Sequence, residues 1–203
     1  MAEKWLEMAT DKVRQFKESD RDQSVSNRLD HLERTRRRAL SMARKISKER
    51  NAQVDYLVLQ MAALLHDVDE PYSHDSSAID RSAQKAKEIL DGIGFPKDRT
   101  ERVIKLIMEH SSERQTPSTS LESGILYDAD KLDGLGEIGI ARVFALCGQR
   151  GMTPVEAVAW YERKIGMALP GMRTELGMRL AEKRLKEVNR FLERLRREQK
   201  RSI

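Results

Sequence analysis

VDYLVLQMAALLHD, residues 54–67, is apolar almost all the way round. A helix with no polar face cannot sit on a surface, so this stretch predicts a central buried helix enclosed by others. Working outward, the chain reads as a succession of helices. Upstream, candidates span about residues 4–17 and 28–48, separated by a polar stretch at 18–27. Downstream, a helix over 77–90 is closed by Gly92 and Gly94 as stop signals. Pro96 opens another over about 97–110, and SSERQTPSTS (111–120), with Pro117, reads as a loop. LESGILYDADKLDGLGEIGIARVFALCG (121–148) is compatible with a helix but interrupted by glycines. Thr153 and Glu156 make a T-x-x-E capping box with Pro154 at the first helical position. A long amphipathic helix over about 172–198 ends the order. No internal repeat, low-complexity segment or linker interrupts it.

Composition agrees with an all-α fold. The 203 residues suffice for one domain with a sizeable core. Five prolines, eleven glycines and 5% aromatic residues favour helices over a sandwich or barrel. No run approaches the roughly 18 apolar residues of a membrane span. The charged N-terminus, MAEKWLEMATDKVRQFKESD, lacks the apolar stretch of a secretory signal. Cys147 is the sole cysteine, so no intrachain disulfide can form, and a cytoplasmic protein is expected. The net charge of +5 gathers at residues 34–38 and 190–201. Such runs are ordinarily solvated helix faces, and a basic balance also suits an anionic, phosphate-bearing substrate.

The chemistry is carried by few residues. The four histidines are His31, His66, His74 and His110. His66 and Asp67 stand together at the end of the most apolar helix, where an ionised carboxylate is costly unless paired or bound to a cation. A helix end emerging into water is the plainer alternative. In YDADKLDGLG (127–136), Asp128, Asp130 and Asp133 crowd together, and on a helix Asp130 and Asp133 project from one side. A divalent cation or a basic partner would relieve their repulsion; ordinary cap and surface acids are the alternative.

The order His31, then His66-Asp67, then Asp130 resembles the HD superfamily of metal-dependent phosphohydrolases. HLERTRRRA from His31 is similar to the family's first motif, and AALLHDVDE to its histidine-aspartate doublet. DADKLDGLG followed by EIGIAR, and IMEHSSE around His110, resemble motifs of a subfamily of small bacterial and archaeal HD hydrolases. The likeness runs from about residue 27 to 142 and continues weakly through YERKIGMALPGMRTELG.

The resemblance implies a single helical HD domain over 1–203, with a motif-bearing core at about 27–142 and C-terminal helices at about 153–201. It implies a central site in which His31, His66, Asp67 and Asp130 ligate one divalent transition metal ion: Mn, Fe, Co, Ni or Zn. Asp67 is expected also to orient the attacking water, Arg34 to meet phosphate, and His110 to donate to the leaving group or to phosphate. Asp133 would touch substrate or the outer nitrogen of a ligand histidine. Asp69 and Glu70 would support water or a ligand, and Lys164 would lie on the substrate side. His74 reads as a surface residue. For Arg34, Asp69, Glu70, His110 and Lys164 an ordinary helix-surface or helix-end position is the alternative.

The implied reaction is hydrolysis of a phosphate ester or phosphoanhydride, with a nucleotide as the substrate class. There are departures from the family pattern. Asn27 and Arg28 stand where many members carry histidine and aspartate, the segment after Asp67 lacks a G-K pair, and the extra histidines of two-metal relatives are not evident. A competing reading is a nucleic-acid-binding or regulatory module with a vestigial metal site. The full ligand set and the scarcity of aromatics for base stacking oppose it. Dimerisation through the C-terminal helix is compatible with either.

Overall fold

The computed structural model describes residues 1–19, 29–69, 77–110, 118–168 and 171–201. Among them, every regular element is helical: α1 (Ala2–Ser19), α2 (Leu29–Arg50), α3 (Tyr56–Leu65), α4 (Ala78–Gly92), α5 (Lys97–Glu109), α6 (Leu121–Lys131), a short 3₁₀ turn (Leu132–Gly134), α7 (Gly136–Gln149), α8 (Pro154–Ala168) and α9 (Glu175–Arg201). The all-α class expected from the sequence is the class observed. None of the described helices is long and apolar enough to cross a membrane.

The apolar stretch at 54–67 forms α3 at the centre. Asp55 caps it by accepting the backbone N–H of Val58 at 3.1 Å. All its residues except Tyr56 and Gln60 are buried, against α1, α2, α4, α5 and α6. The helix stops at Leu65, two residues short of the sequence reading, so His66 and Asp67 stand in the turn that leaves it. On α2 the buried residues His31, Leu32, Thr35, Ala39, Met42, Ala43 and Ile46 follow helical spacing and lie against α3. One continuous apolar cluster runs from Ala9 and Val13 on α1 to Ala181, Val188 and Leu192 on α9.

The glycine-interrupted segment at 121–148 divides at the 3₁₀ turn, which carries Asp133. The division is forced by a close approach. A Cβ on Gly139 would fall 2.3 Å from the carbonyl carbon and 2.4 Å from the oxygen of Gly134. Only a bare Cα lets α7 press on the turn. Gly139→Ala is therefore expected to displace the turn and cost about 3 kcal/mol, measurable as a lowered urea midpoint. The capping box also forms: Thr153 N–H donates to the Glu156 carboxylate at 2.8 Å, and Glu156 N–H donates back to the Thr153 hydroxyl at 3.3 Å.

Candidate metal centre

The ends of three mutually packed helices, α2, α3 and α6, converge on one point. His31 comes from the first turn of α2, His66 and Asp67 from the exit of α3, and Asp130 from the last turn of α6. One potential ligand atom of each lies within 4.8 Å of the others. His31 Nε2 is 3.8 Å from Asp67 Oδ2 and 3.5 Å from Asp130 Oδ1. His66 Nε2 is 3.4 Å and 3.6 Å from the same two oxygens.

The outer ring nitrogens fix what the inner ones can do. His31 Nδ1 meets Asp133 Oδ2 at 2.8 Å, and His66 Nδ1 meets the Ala63 carbonyl at 2.9 Å. Both partners only accept, so each Nδ1 carries the proton and each Nε2 presents a lone pair. These two Nε2 atoms are buried and have no hydrogen-bond partner among the described residues. In the neutral rings two lone pairs therefore face two carboxylates with no proton between them. Such a set fits a cation, and the donors (two imidazoles and two carboxylates) suit a divalent transition metal.

The charges agree. Burial pushes Asp67 up, but His66 beside it and His110 hold it well below the usual carboxylate range. Asp130 is likewise opposed by burial but held well below by the Lys131 ammonium and His66. Without an ion, burial pushes His31 and His66 down, and the surrounding aspartates reverse this and raise both. The pocket demands positive charge, so protons and metal compete for it.

Around this cluster stand the other expected residues. His110 directs Nε2 to Asp67 Oδ1 at 3.3 Å, and its ring lies edge-on to His66 with centres 5.0 Å apart. Asp133 is fully buried and is the outer-nitrogen partner of His31. It is held in turn by three arginines: Arg34 Nε and Nη2 at 3.1 Å each, Arg38 Nη2 at 3.0 Å and Arg142 Nη1 at 2.6 Å. Burial raises the Asp133 carboxyl, yet His31, Arg34 and Arg142 hold it far below its ordinary value. Arg34, expected at phosphate, spends its remaining Nη1 on Asp30 at 2.5 Å. Arg38 and Arg142 were not singled out by sequence; one is hidden in a basic run and the other closes the EIGIAR stretch.

Two residues lie elsewhere. Asp128 turns away from the cluster and accepts Arg173 N–H at 2.7 Å, Thr174 N–H at 2.8 Å and the Thr174 hydroxyl at 2.6 Å. It ties the approach of α9 to α6. Gly177 leaves room for it, since a Cβ there would fall 2.1 Å from Oδ2. Lys164 is exposed on α8, its ammonium 4.8 Å from the centre of the Trp160 ring. Asp69 is half-buried and donates its backbone N–H to the Ser82 hydroxyl at 3.2 Å. Asn27, Arg28, Glu70 and His74 lie outside the described residues.

Comparison with known proteins falls on the same helices. The Bacillus subtilis protein YpgQ, itself uncharacterised, is 28% identical over 166 residues, covering 78% of this chain and 79% of YpgQ. The crystal structure of YpgQ in complex with ADP superposes with a TM-score of 0.71 at 26% identity, covering 93% of this chain and 97% of that one. A predicted HD superfamily hydrolase from an uncultured Thermotogales bacterium superposes with a TM-score of 0.63 at 27% identity, covering 94% and 90%. The HD domain model matches residues 28–135, more than half of the chain and the span that holds all four potential ligands. This protein belongs to the HD domain family.

Proposed function

We propose that the protein is a divalent-metal-dependent phosphohydrolase that cleaves a phosphate bond of a nucleotide. The observation that carries this reading is the pair of buried, unpartnered Nε2 atoms of His31 and His66 facing Asp67 and Asp130. These four residues would hold the ion. When bound, it supplies Lewis acidity to a phosphoryl oxygen and makes a coordinated water easier to deprotonate.

The chain's own residues do the rest. Asp133 fixes the His31 ring through Nδ1, and Arg34, Arg38 and Arg142 fix Asp133. Asp67 uses one oxygen toward the imidazoles and the other toward His110. In this reading Asp67 also orients the attacking water, and His110, at the edge of the cluster, donates a proton toward the leaving oxygen. Arg34 acts through Asp133 and His31, because its Nε and Nη2 are committed to Asp133. Lys164 takes no part in this reading. A nucleotide is favoured because the related YpgQ was crystallised with ADP.

The test is metal analysis followed by a phosphate-release screen over nucleoside mono-, di- and triphosphates. About one ion per chain is expected from the single donor set. Phosphate or pyrophosphate release should disappear with a chelator and return with the ion. Because protons compete for the same imidazoles, metal affinity should weaken as pH falls through the histidine range. A fully metal-loaded protein that releases phosphate from no nucleotide would sink the proposal.

A further inference from the structure

One cation stands directly behind a ligand carboxylate. Lys131 Nζ is 2.9 Å from Asp130 Oδ2, while Asp130 Oδ1 faces His31 and His66 at 3.5 and 3.6 Å. Neighbouring residues on a helix point about 100° apart, so an adjacent Asp–Lys contact does not arise by default. Here the lysine is steered. Tyr127 lies one turn earlier on α6, and the Lys131 ammonium sits 5.3 Å from the centre of its ring. That ring is buried, with the Arg173 guanidinium 3.8 Å from its centre. A lysine side chain that ordinarily extends into water is instead 26% exposed and folded against the ligand.

On the metal reading above, we infer that Lys131 is a positioning residue. It occupies one oxygen of Asp130, leaves a single oxygen for the ion, and adds a positive charge behind that ligand. Two neutral imidazoles, two carboxylates and a divalent ion sum to zero. Lys131 takes the centre to a net positive charge, which favours an anionic phosphate and keeps the ion electron-poor. A carboxylate held to one oxygen also takes one position on the ion rather than two, leaving room for water or substrate.

This arrangement has an unusual signature, because the ammonium repels the ion it helps to employ. Lys131→Met and Lys131→Gln should bind Mn²⁺ more tightly, roughly five-fold, as expected for removal of one like charge a few ångströms away in a well-screened setting. The same variants should turn over nucleotide roughly ten-fold or more slowly. Water-proton relaxation by the Mn²⁺-loaded Lys131→Met protein should fall, because the freed second oxygen displaces a coordinated water. Lys131→Arg should restore most of the lost turnover. Circular dichroism of each metal-free variant identifies any that fails to fold, and the glutamine form keeps a hydrogen-bonding group where methionine has none.

The inference is overturned if Mn²⁺ binding by the folded variants weakens or stays unchanged, or if relaxation stays at the wild-type value. Either result with metal-binding wild-type protein leaves the phosphohydrolase reading intact. Wild-type protein that binds no Mn²⁺ would remove both.

Discussion

Asp67→Ala is expected to bind no divalent ion at concentrations that saturate the wild type, and to release phosphate no faster than background. Asp67 Oδ2 faces both unpartnered imidazole nitrogens, and Oδ1 receives His110. On the proposed function the substitution removes a ligand and the group that orients water in one step. Loss of an outer-sphere partner usually costs roughly 10–100-fold in metal affinity, so loss of a ligand should exceed about 100-fold. The fold should survive. Asp67 lies beyond the end of α3, so the helix itself does not depend on it. The metal-free variant should keep the helical circular dichroism of the metal-free wild type while melting somewhat lower, because the depressed Asp67 carboxyl contributes to the folded state. Isothermal titration, phosphate release and circular dichroism together decide the matter. Full occupancy and turnover would disprove the ligand assignment.

Asp133→Asn should be the most damaging substitution to stability near the site. The carboxylate is fully buried among three guanidinium groups that keep 14–21% exposure. Breaking a buried ion pair costs about 3–5 kcal/mol, and the residual exposure argues for the lower end, about 3 kcal/mol. Asparagine also turns N–H donors toward arginines that need acceptors. His31 loses the acceptor that fixes its tautomer, so metal affinity should drop roughly 10–100-fold.

The pH dependence follows from the depressed Asp133 pKa. A carboxylate depressed by folding contributes its full stability above its unfolded value and loses it as pH falls toward the folded one. Wild-type stability should thus decline progressively below about pH 4, and the Asp133→Asn protein should lack that component. Urea unfolding between neutral and acidic pH would test this. Equal urea midpoints for the two proteins at neutral pH would refute the clamp.

The candidate cluster was legible because its residue types follow a fixed order along three helices that had to pack together. The central helix at 54–67 was legible for a simpler reason: it has no polar face to expose. What the sequence hid depends on contacts between distant residues. Asp128 and Asp133 look alike in DADKLD, but one reaches Arg173 and Thr174 and the other reaches His31, Arg34, Arg38 and Arg142. Periodicity assigns them faces; only packing assigns them partners. Arg34 shows the same limit. Its place one turn after His31 suggested phosphate; its Nε and Nη2 meet Asp133 on the 3₁₀ turn, a partner that spacing along α2 cannot reveal. The division of 121–148 was equally hidden, since a glycine marks where a helix can break but not what presses against it.

The HD domain match ends at residue 135, yet the site's supports do not. Arg142 reaches back to Asp133, Arg184 donates to the Leu132 carbonyl, and Arg173 and Thr174 donate to the Asp128 carboxylate. A fragment cut where the likeness stops would keep all four ligands and strip two buried carboxylates of donors contributed from the C-terminal side. The smallest autonomous unit able to hold this centre must therefore extend at least through Arg184, and an excised minimal domain would be a poor substitute for the whole chain.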